Sequence, residues 1–265
     1  MAGQPGTIVI VSVPSRQVLA SYNLELASAQ LIRPGSTLKP LVLLALLDSA
    51  KLDPAQQFLC RRPLYIGNIR MDCSHAPEIV ELNADDAIAY SCNSYVAQVA
   101  PHLNPRELVE ALRRAGLDSP TGLAKTEAAG HVDRLTSPDE IQLVALGEHG
   151  IEVTPLELLE AYRKLALLRR TASTKLSQPV FDGLEHAITY GTAHAAYVDG
   201  MKTAGKTGTA TAPNTARTHG LFVGYAPADQ PEIAVIVYIP QGHGLDAAKL
   251  AQPVFAKYAK FVNQR

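Results

Sequence analysis

The sequence predicts a mixed α/β (α+β) fold: one sheet built from both ends of the chain, with a helical block inserted between them. Two observations carry this. Runs that read as strands lie near both termini, and the middle carries one helix-start pattern three times over. Ile8, Val9, Ile10, Val11 and Val13 form a β-branched run that stops at Pro14-Ser15-Arg16, and Val18 to Tyr22 resumes it, as in a hairpin. Towards the other end, His219 to Tyr225 and Ile233 to Ile239 are apolar runs separated by the turn Ala226-Pro227-Ala228-Asp229-Gln230-Pro231. Asp246 to Val262 has helical spacing, with Pro253 expected to kink it.

The helical middle follows from local chemistry. Asn104-Pro105-Arg106-Glu107, Ser137-Pro138-Asp139-Glu140 and Thr154-Pro155-Leu156-Glu157 each offer a capping oxygen, a proline that needs no N–H in the first turn, and an acid for the positive helix end. Gly116 and Gly147 stand where the first two should stop. Strands from both ends must then share a sheet. The expected organisation is one domain, 1–265, with a sheet-containing lobe (1–55 plus 185–265) packed closely on a mostly helical lobe (56–184). A cleft between the lobes is the default place for a site.

Composition narrows the partners. With 24 lysines and arginines against 25 acids and no block of like charge, the chain has no electrostatic footprint for nucleic acid or an anionic membrane. The longest apolar run, Leu41 to Leu47, is far short of the roughly 18 to 20 residues of a membrane helix. Met1 to Gly6 has neither the basic nor the apolar part of a signal peptide, so the expectation is a cytoplasmic chain or one cut down from a longer exported parent. Cys60, Cys73 and Cys92 are too few for a disulfide framework, although Cys60 and Cys73 flank a loop-like stretch in which one bridge can form. His75 is nearby, but Cys60, Cys73 and His75 lack the close-paired spacing of zinc ligands, so no metal is expected.

Three segments can carry chemistry. In Arg33-Pro34-Gly35-Ser36-Thr37-Leu38-Lys39-Pro40, a buried helix begins close to Ser36. Ser36 and Lys39 share its first-turn face, where the free N–H groups favour an oxyanion and, with burial, disfavour an ammonium. A neutral lysine beside a serine is an activating base for a weak nucleophile; the bland alternative is an N-cap serine and a solvated lysine. In Tyr90-Ser91-Cys92-Asn93-Ser94, Ser91 can relay a proton and Asn93 can bind an amide if the backbone there is short or at a helix boundary; otherwise this is a polar turn. In Gly205 to Thr211, alternating threonines suggest a strand. There Lys206 and Thr209 offer a cation and a hydroxyl to a carboxylate, and Gly208 is expected to let a ligand backbone approach. A phosphate loop is excluded: its first glycine would be Gly200, and Gly208 and Pro213 oppose the helix it should open.

Ser36-x-x-Lys39, Ser91-x-Asn93 and Lys206-Thr207-Gly208, in this order, resemble the signature of penicillin-binding proteins and serine β-lactamases. The chain resembles specifically the transpeptidase domain of penicillin-binding proteins. Val153-Thr154-Pro155-Leu156-Glu157 with Ala161-Tyr162, Gly191-Thr192-Ala193 and Phe222-Val223-Gly224-Tyr225-Ala226-Pro227 extend the likeness over nearly the whole chain, as does the Cys60 and Cys73 segment ahead of Ser91.

The resemblance implies an antiparallel five-stranded sheet flanked by helices plus a mostly helical lobe. Ser36 is then the acylated nucleophile and Lys39 its base. Ser91 shuttles the proton, Asn93 holds the substrate amide, and Lys206 with Thr207, Gly208 and Thr209 receives the carboxylate of a D-Ala-D-Ala stem peptide or a β-lactam. The backbone N–H groups of Ser36 and Thr209 form the oxyanion hole. It further implies no cofactor, peptidoglycan stem peptides and β-lactams as ligands, cell-wall assembly proteins as partners, and an extracytoplasmic place, with anchoring through a missing N-terminal segment. In that oxidising compartment Cys60 and Cys73 could pair. Gly147-Glu148-His149-Gly150 departs from the Gly-x-Gly loop expected there. Glu81-Leu82-Asn83 precedes Ser91 and reads as a helix start, and no Glu-x-x-Leu-Asn follows Asn93, so the acyl group should be lost slowly. That favours a transpeptidase, with a carboxypeptidase as the alternative, over a β-lactamase; a β-lactam sensor or an inert scaffold are readings of another class. His131, His149, His186, His194 and His243 show no ligand spacing, and His219 is a candidate to line the cleft.

Overall fold

Alternation along Thr7–Ser12 buries Thr7, Val9 and Val11 and leaves Ile8, Ile10 and Ser12 half-buried, and this strand, β1, pairs antiparallel with β2 (Val18–Tyr22) as the hairpin pattern requires. The computed structural model describes residues 5–212 and 217–264; Pro213 and the first four residues lie outside them. Strands β3 (Ala204–Thr211), β4 (Thr218–Ala226) and β5 (Ile233–Ile239) complete an antiparallel sheet in the order β2-β1-β5-β4-β3. The chain ends therefore meet where β1 pairs with β5, Val9 opposite Ile236. This order leaves β3 at an edge, with alternate backbone groups free to pair with something else.

Strands β4 and β5 are apolar without alternation because both sheet faces are covered. Phe222 of β4 meets Phe255 edge-on at 5.9 Å from the C-terminal helix α9 (Gly244–Val262). Leu221, Val223, Tyr225, Ala234 and Ile236 face the larger core shared with the helices. Pro253 sits inside α9 without ending it, on its exposed side.

The helices between the strands are α1 (Leu24–Ala29), α2 (Lys39–Asp48), α3 (Ala84–Ala89), α4 (Asn93–Val99), α5 (Pro105–Ala115), α6 (Pro138–Ala145), α7 (Pro155–Ala172) and α8 (Gln178–Thr189). Asn104, Ser137 and Thr154 cap α5, α6 and α7 with reciprocal capping boxes, and Gly116 ends α5 in the left-handed conformation. Asn83 caps α3 by accepting from Asp86 N, so Glu81-Leu82-Asn83 is a helix start. The Glu157 carboxylate also accepts from Ser119 N at 3.0 Å and Gly130 N at 2.8 Å, which ties a long loop to α7. Both α7 and α8, although they arise from the helical middle, pack on the sheet. Helix α2 is apolar around most of its girth and runs through the interior. No helix among the described residues is long and apolar enough to cross a membrane.

Candidate active site

Ser36 lies in a single 3₁₀ turn, Gly35–Leu38, that leads into α2. Gly35 has φ +53°, and a Cβ there would sit 3.2 Å from both Ala210 Cβ and Thr209 O, so the turn is pressed against β3. Thr37 Oγ1 donates to Pro34 O at 2.6 Å, and Tyr162 of α7 donates its hydroxyl to Thr37 O at 2.7 Å. Gly208 is required for the same contact: a Cβ there would lie 2.9 Å from Pro34 O and from Thr37 Cγ2. Its smallness makes room for the serine turn, a packing reason that the sequence does not show. His219 is fully buried and donates from Nε2 to Arg33 O at 2.7 Å. It holds the chain entering the turn and does not line the cleft.

The second segment meets the first through Lys39. Ser91 sits between α3 and α4 with φ +57°, a left-handed conformation that costs a serine backbone energy and aims its side chain inward. Asn93 is the first residue of α4. This is the helix-boundary geometry that the sequence required. Fully buried Lys39 places Nζ 2.7 Å from Ser91 O, 3.3 Å from Ser91 Oγ and 2.5 Å from Asn93 Oδ1. These hydrogen bonds run to the second segment and none to Ser36. Asn93 Nδ2 donates in turn to Met71 O at 3.0 Å and Asp72 O at 3.1 Å.

The third segment is the edge strand β3. Lys206 is fully buried, with Nζ donating to Thr192 Oγ1 at 3.4 Å and Thr207 O at 3.2 Å. Thr207 Oγ1 lies 3.2 Å from Thr192 Oγ1, and exposed Thr209 accepts at Oγ1 from Gly244 N at 2.9 Å. Ser36, Ser91, Asn93, Thr207 and Thr209 line one cleft of about 380 Å³. Lys39 and Lys206 lie beneath its floor. Thr192 and Glu148 line it too.

Burial dominates the electrostatics. It penalises the Lys39 ammonium and brings that amine down to about 8. Burial, reinforced by repulsion from Lys39, holds Lys206 well below the ordinary lysine value. Glu148 is pushed up to about 7 by burial, against the pull of Arg33, a hydrogen bond from the Thr211 N–H, and Lys39.

Sequence reasoning missed Thr192 and Glu148 as cleft residues. Thr192 carried a signal only through Gly191-Thr192-Ala193. Glu148 lay in the four-residue departure Gly147 to Gly150, where the acid itself was the signal.

The cysteines also come out differently. Cys60, Cys73 and Cys92 are free. Cys60 Sγ stands 3.6 Å from Cys73 Sγ, far beyond the roughly 2.05 Å of a disulfide, so the expected bridge is not formed. Cys73 Sγ is equally 3.6 Å from Cys92 Sγ, and Cys60 Sγ is 3.6 Å from His75 Nε2. The four donor atoms lie within 4.8 Å of one another, and among the described residues they are the set that could hold a metal. The spacing argument against a metal left out Cys92, which arrives from the N-cap of α4. Three sulfurs and an imidazole suit a tetrahedral soft cation. Arg62 reaches both ring nitrogens of His75, at 2.7 Å from Nδ1 and 3.2 Å from Nε2, and Nδ1 also lies 3.0 Å from Ala76 O. Within the cluster the hydrogen bond from Cys92 favours the Cys73 thiolate, and the same bond with burial keeps Cys92 a thiol.

The family model described as the penicillin binding protein transpeptidase domain matches residues 6–260. The peptidoglycan D,D-transpeptidase FtsI of Buchnera aphidicola is 23% identical over 97% of this chain and 52% of its own length. MrdA of Acinetobacter baumannii, also named a peptidoglycan D,D-transpeptidase, is 28% identical over 66% of this chain and 34% of its own length. The chain spans about half the length, or less, of these curated relatives. Among solved structures, Pseudomonas aeruginosa PBP2 in complex with WCK 5153 superposes with a TM-score of 0.84 at 23% identity, covering 97% of this chain and 74% of that one. The apo TP domain of Burkholderia pseudomallei penicillin-binding protein 3 gives 0.86 at 20% identity, covering 98% and 88%. The structural likeness establishes the fold, the five-stranded sheet included, and the family match over almost every residue establishes kinship: the chain belongs to the penicillin-binding protein transpeptidase domain family.

Proposed function

We propose that this chain is a serine D,D-transpeptidase that acts on D-Ala-D-Ala peptidoglycan stem peptides through a Ser36 acyl-enzyme and is acylated by β-lactams. One observation carries the reading. Three segments far apart in sequence converge on one cleft, with a buried lysine of lowered pKa between two of them. The names of the relatives support the substrate class.

In this reading neutral Lys39 takes the Ser36 proton as Oγ attacks the carbonyl carbon. A neutral amine has two donors and one lone pair. The donors suit Ser91 O and Asn93 Oδ1, which leaves the lone pair to accept the proton. The N–H groups of Ser36 and Thr209 receive the oxyanion, at about 3 kcal/mol per donor in comparable sites. Ser91 passes the proton to the departing D-Ala amine. The free edge of β3 pairs with the peptide backbone. The substrate carboxylate supplies the counter-charge that favours the buried Lys206 ammonium, with Thr207, Gly208 and Thr209 beside it. An acceptor amine then takes the acyl group. The site of action is outside the cytoplasm, where stem peptides lie.

The test is incubation with a labelled penicillin. Intact mass should rise by one adduct on the wild type and not on Ser36→Ala; equal labelling of both would refute the assignment. A D-Ala-D-Ala peptide with an acceptor amine should then give the exchanged product, and stable acylation without turnover would point to a sensor.

A further inference from the structure

Glu148 is held in the Ser36 cleft by backbone contacts of its own loop. Helix α6 ends at Ala145, and Gly147 turns the chain with φ +73°. Gly147 O accepts from Gly35 N at 2.9 Å, and a Cβ at Gly147 would fall on Gly35 O. The loop is thus fixed on the residue just before Ser36, and no side chain larger than hydrogen fits at the contact. Glu148 N donates back to Leu143 O at 3.2 Å, which fixes the next peptide as well. The Glu148 side chain enters the cleft that Ser36 and Thr209 line.

A carboxyl group there is chemically distinctive. It is mostly withdrawn from water, receives the Thr211 N–H, and feels Arg33 from the segment before the turn and Lys39 from α2. His149 shares its loop, and His219 sits behind Arg33. Asp72 and His243 belong to the same cleft, and Lys206 lies under its floor. The acylation chemistry above assigns Glu148 no step.

We propose that Glu148 is the general base for water that hydrolyses the Ser36 acyl-enzyme, which gives the chain a hydrolytic activity beside acyl transfer. This rests on the acyl-enzyme reading. The water oxygen forms a bond to the acyl carbon as the carbonyl electron pair moves onto oxygen, and the water proton passes to the Glu148 carboxylate. When the tetrahedral intermediate collapses, the pair returns, the carbon–Oγ bond breaks, and Ser36 Oγ leaves with the proton that Glu148 took up. The net change is ester plus water to free acid and serine, with both residues restored. The substrates are acyl-enzymes from peptides ending in D-Ala and from β-lactams.

The experiment loads wild type and Glu148→Gln with penicillin, removes the excess and follows the adduct by intact mass. Glutamine keeps an acceptor for Thr211 but cannot take a proton. The variant's adduct should persist about a hundredfold longer. Because burial raises Glu148 and only its ionised form is a base, the wild-type decay rate should climb as pH passes about 7 and then level. The variant's should stay flat. Equal lifetimes, with both proteins folded by circular dichroism, would overturn the proposal and leave the acyl-enzyme reading standing. No adduct on wild type would overturn both. Should the variant fail to fold, the wild-type pH profile decides: a flat profile between pH 5 and pH 9 overturns it.

Discussion

Asn93 Oδ1 accepts a hydrogen bond from Lys39 Nζ at 2.5 Å, so the second motif holds the base of the first in place. The other end of the same amide donates to Met71 O and Asp72 O. Asn93→Asp replaces that donor with an oxygen facing two carbonyls and sets a carboxylate beside Lys39, which favours its ammonium. We expect a stability loss of about 1–3 kcal/mol and acylation at pH 7 slowed by at least about tenfold. Urea unfolding and the second-order rate with fluorescent penicillin measure both, and an unaltered rate would remove Asn93 from the support of the base.

The pH dependence of acylation follows from Lys39. Burial lowers its pKa from 10.5 to about 8, so the neutral, proton-accepting form grows as pH rises through that value. Roughly a tenth is neutral at pH 7 and nine-tenths at pH 9. Acylation at saturating β-lactam should therefore rise several-fold between these values and plateau. Lys39→Arg, permanently cationic, should abolish it.

Two glycines separate backbone strain from contact. Gly147 and Gly122 have φ +73° and φ +75°, but a Cβ at Gly122 meets nothing within 4 Å, whereas one at Gly147 strikes Gly35. Gly122→Ala should cost about 1 kcal/mol. Gly147→Ala should cost about 3 kcal/mol or more and also depress Ser36 acylation, because Gly35 must move. Thermal unfolding and labelling rates of the two variants compare these directly; equal losses would mean that the Gly35 contact carries no weight.

The cysteine cluster makes a thiol count decisive. Half-buried Cys60 should react with a thiol reagent before buried Cys73 and Cys92, and unfolding under non-reducing conditions should release three thiols. One thiol would mean that a pair had oxidised. Repeating the titration after adding zinc reads whether the four donors take the ion, which would protect all three sulfurs at once.

Much of the fold was legible because its signals are local. The capping boxes at Asn104, Ser137 and Thr154 need only four consecutive residues, and β1 and β5 need only runs of β-branched side chains. Ser36, Lys39, Ser91, Asn93, Lys206 and Thr209 were legible through order and spacing. Gly208 was read as a ligand-facing position because nothing local shows that Pro34 and Thr37 press on it. Glu148 was passed over because the pattern for a deacylating acid was a string, whereas the requirement is a place in the cleft.

The sequence by itself determined the strands at both ends, the capped helices between them and the order of the three motifs, since dihedral preference, hydrophobic period and capping act over a few residues. Only the tertiary structure decided which groups meet. Lys39 bonds to Ser91 and Asn93 rather than Ser36, three cysteines and His75 gather into one cluster, and Glu148 stands in the Ser36 cleft. Those contacts join segments tens of residues apart. They are set by how α2, α4, the α6 loop and the edge strand β3 pack around a common core, which no short-range preference encodes.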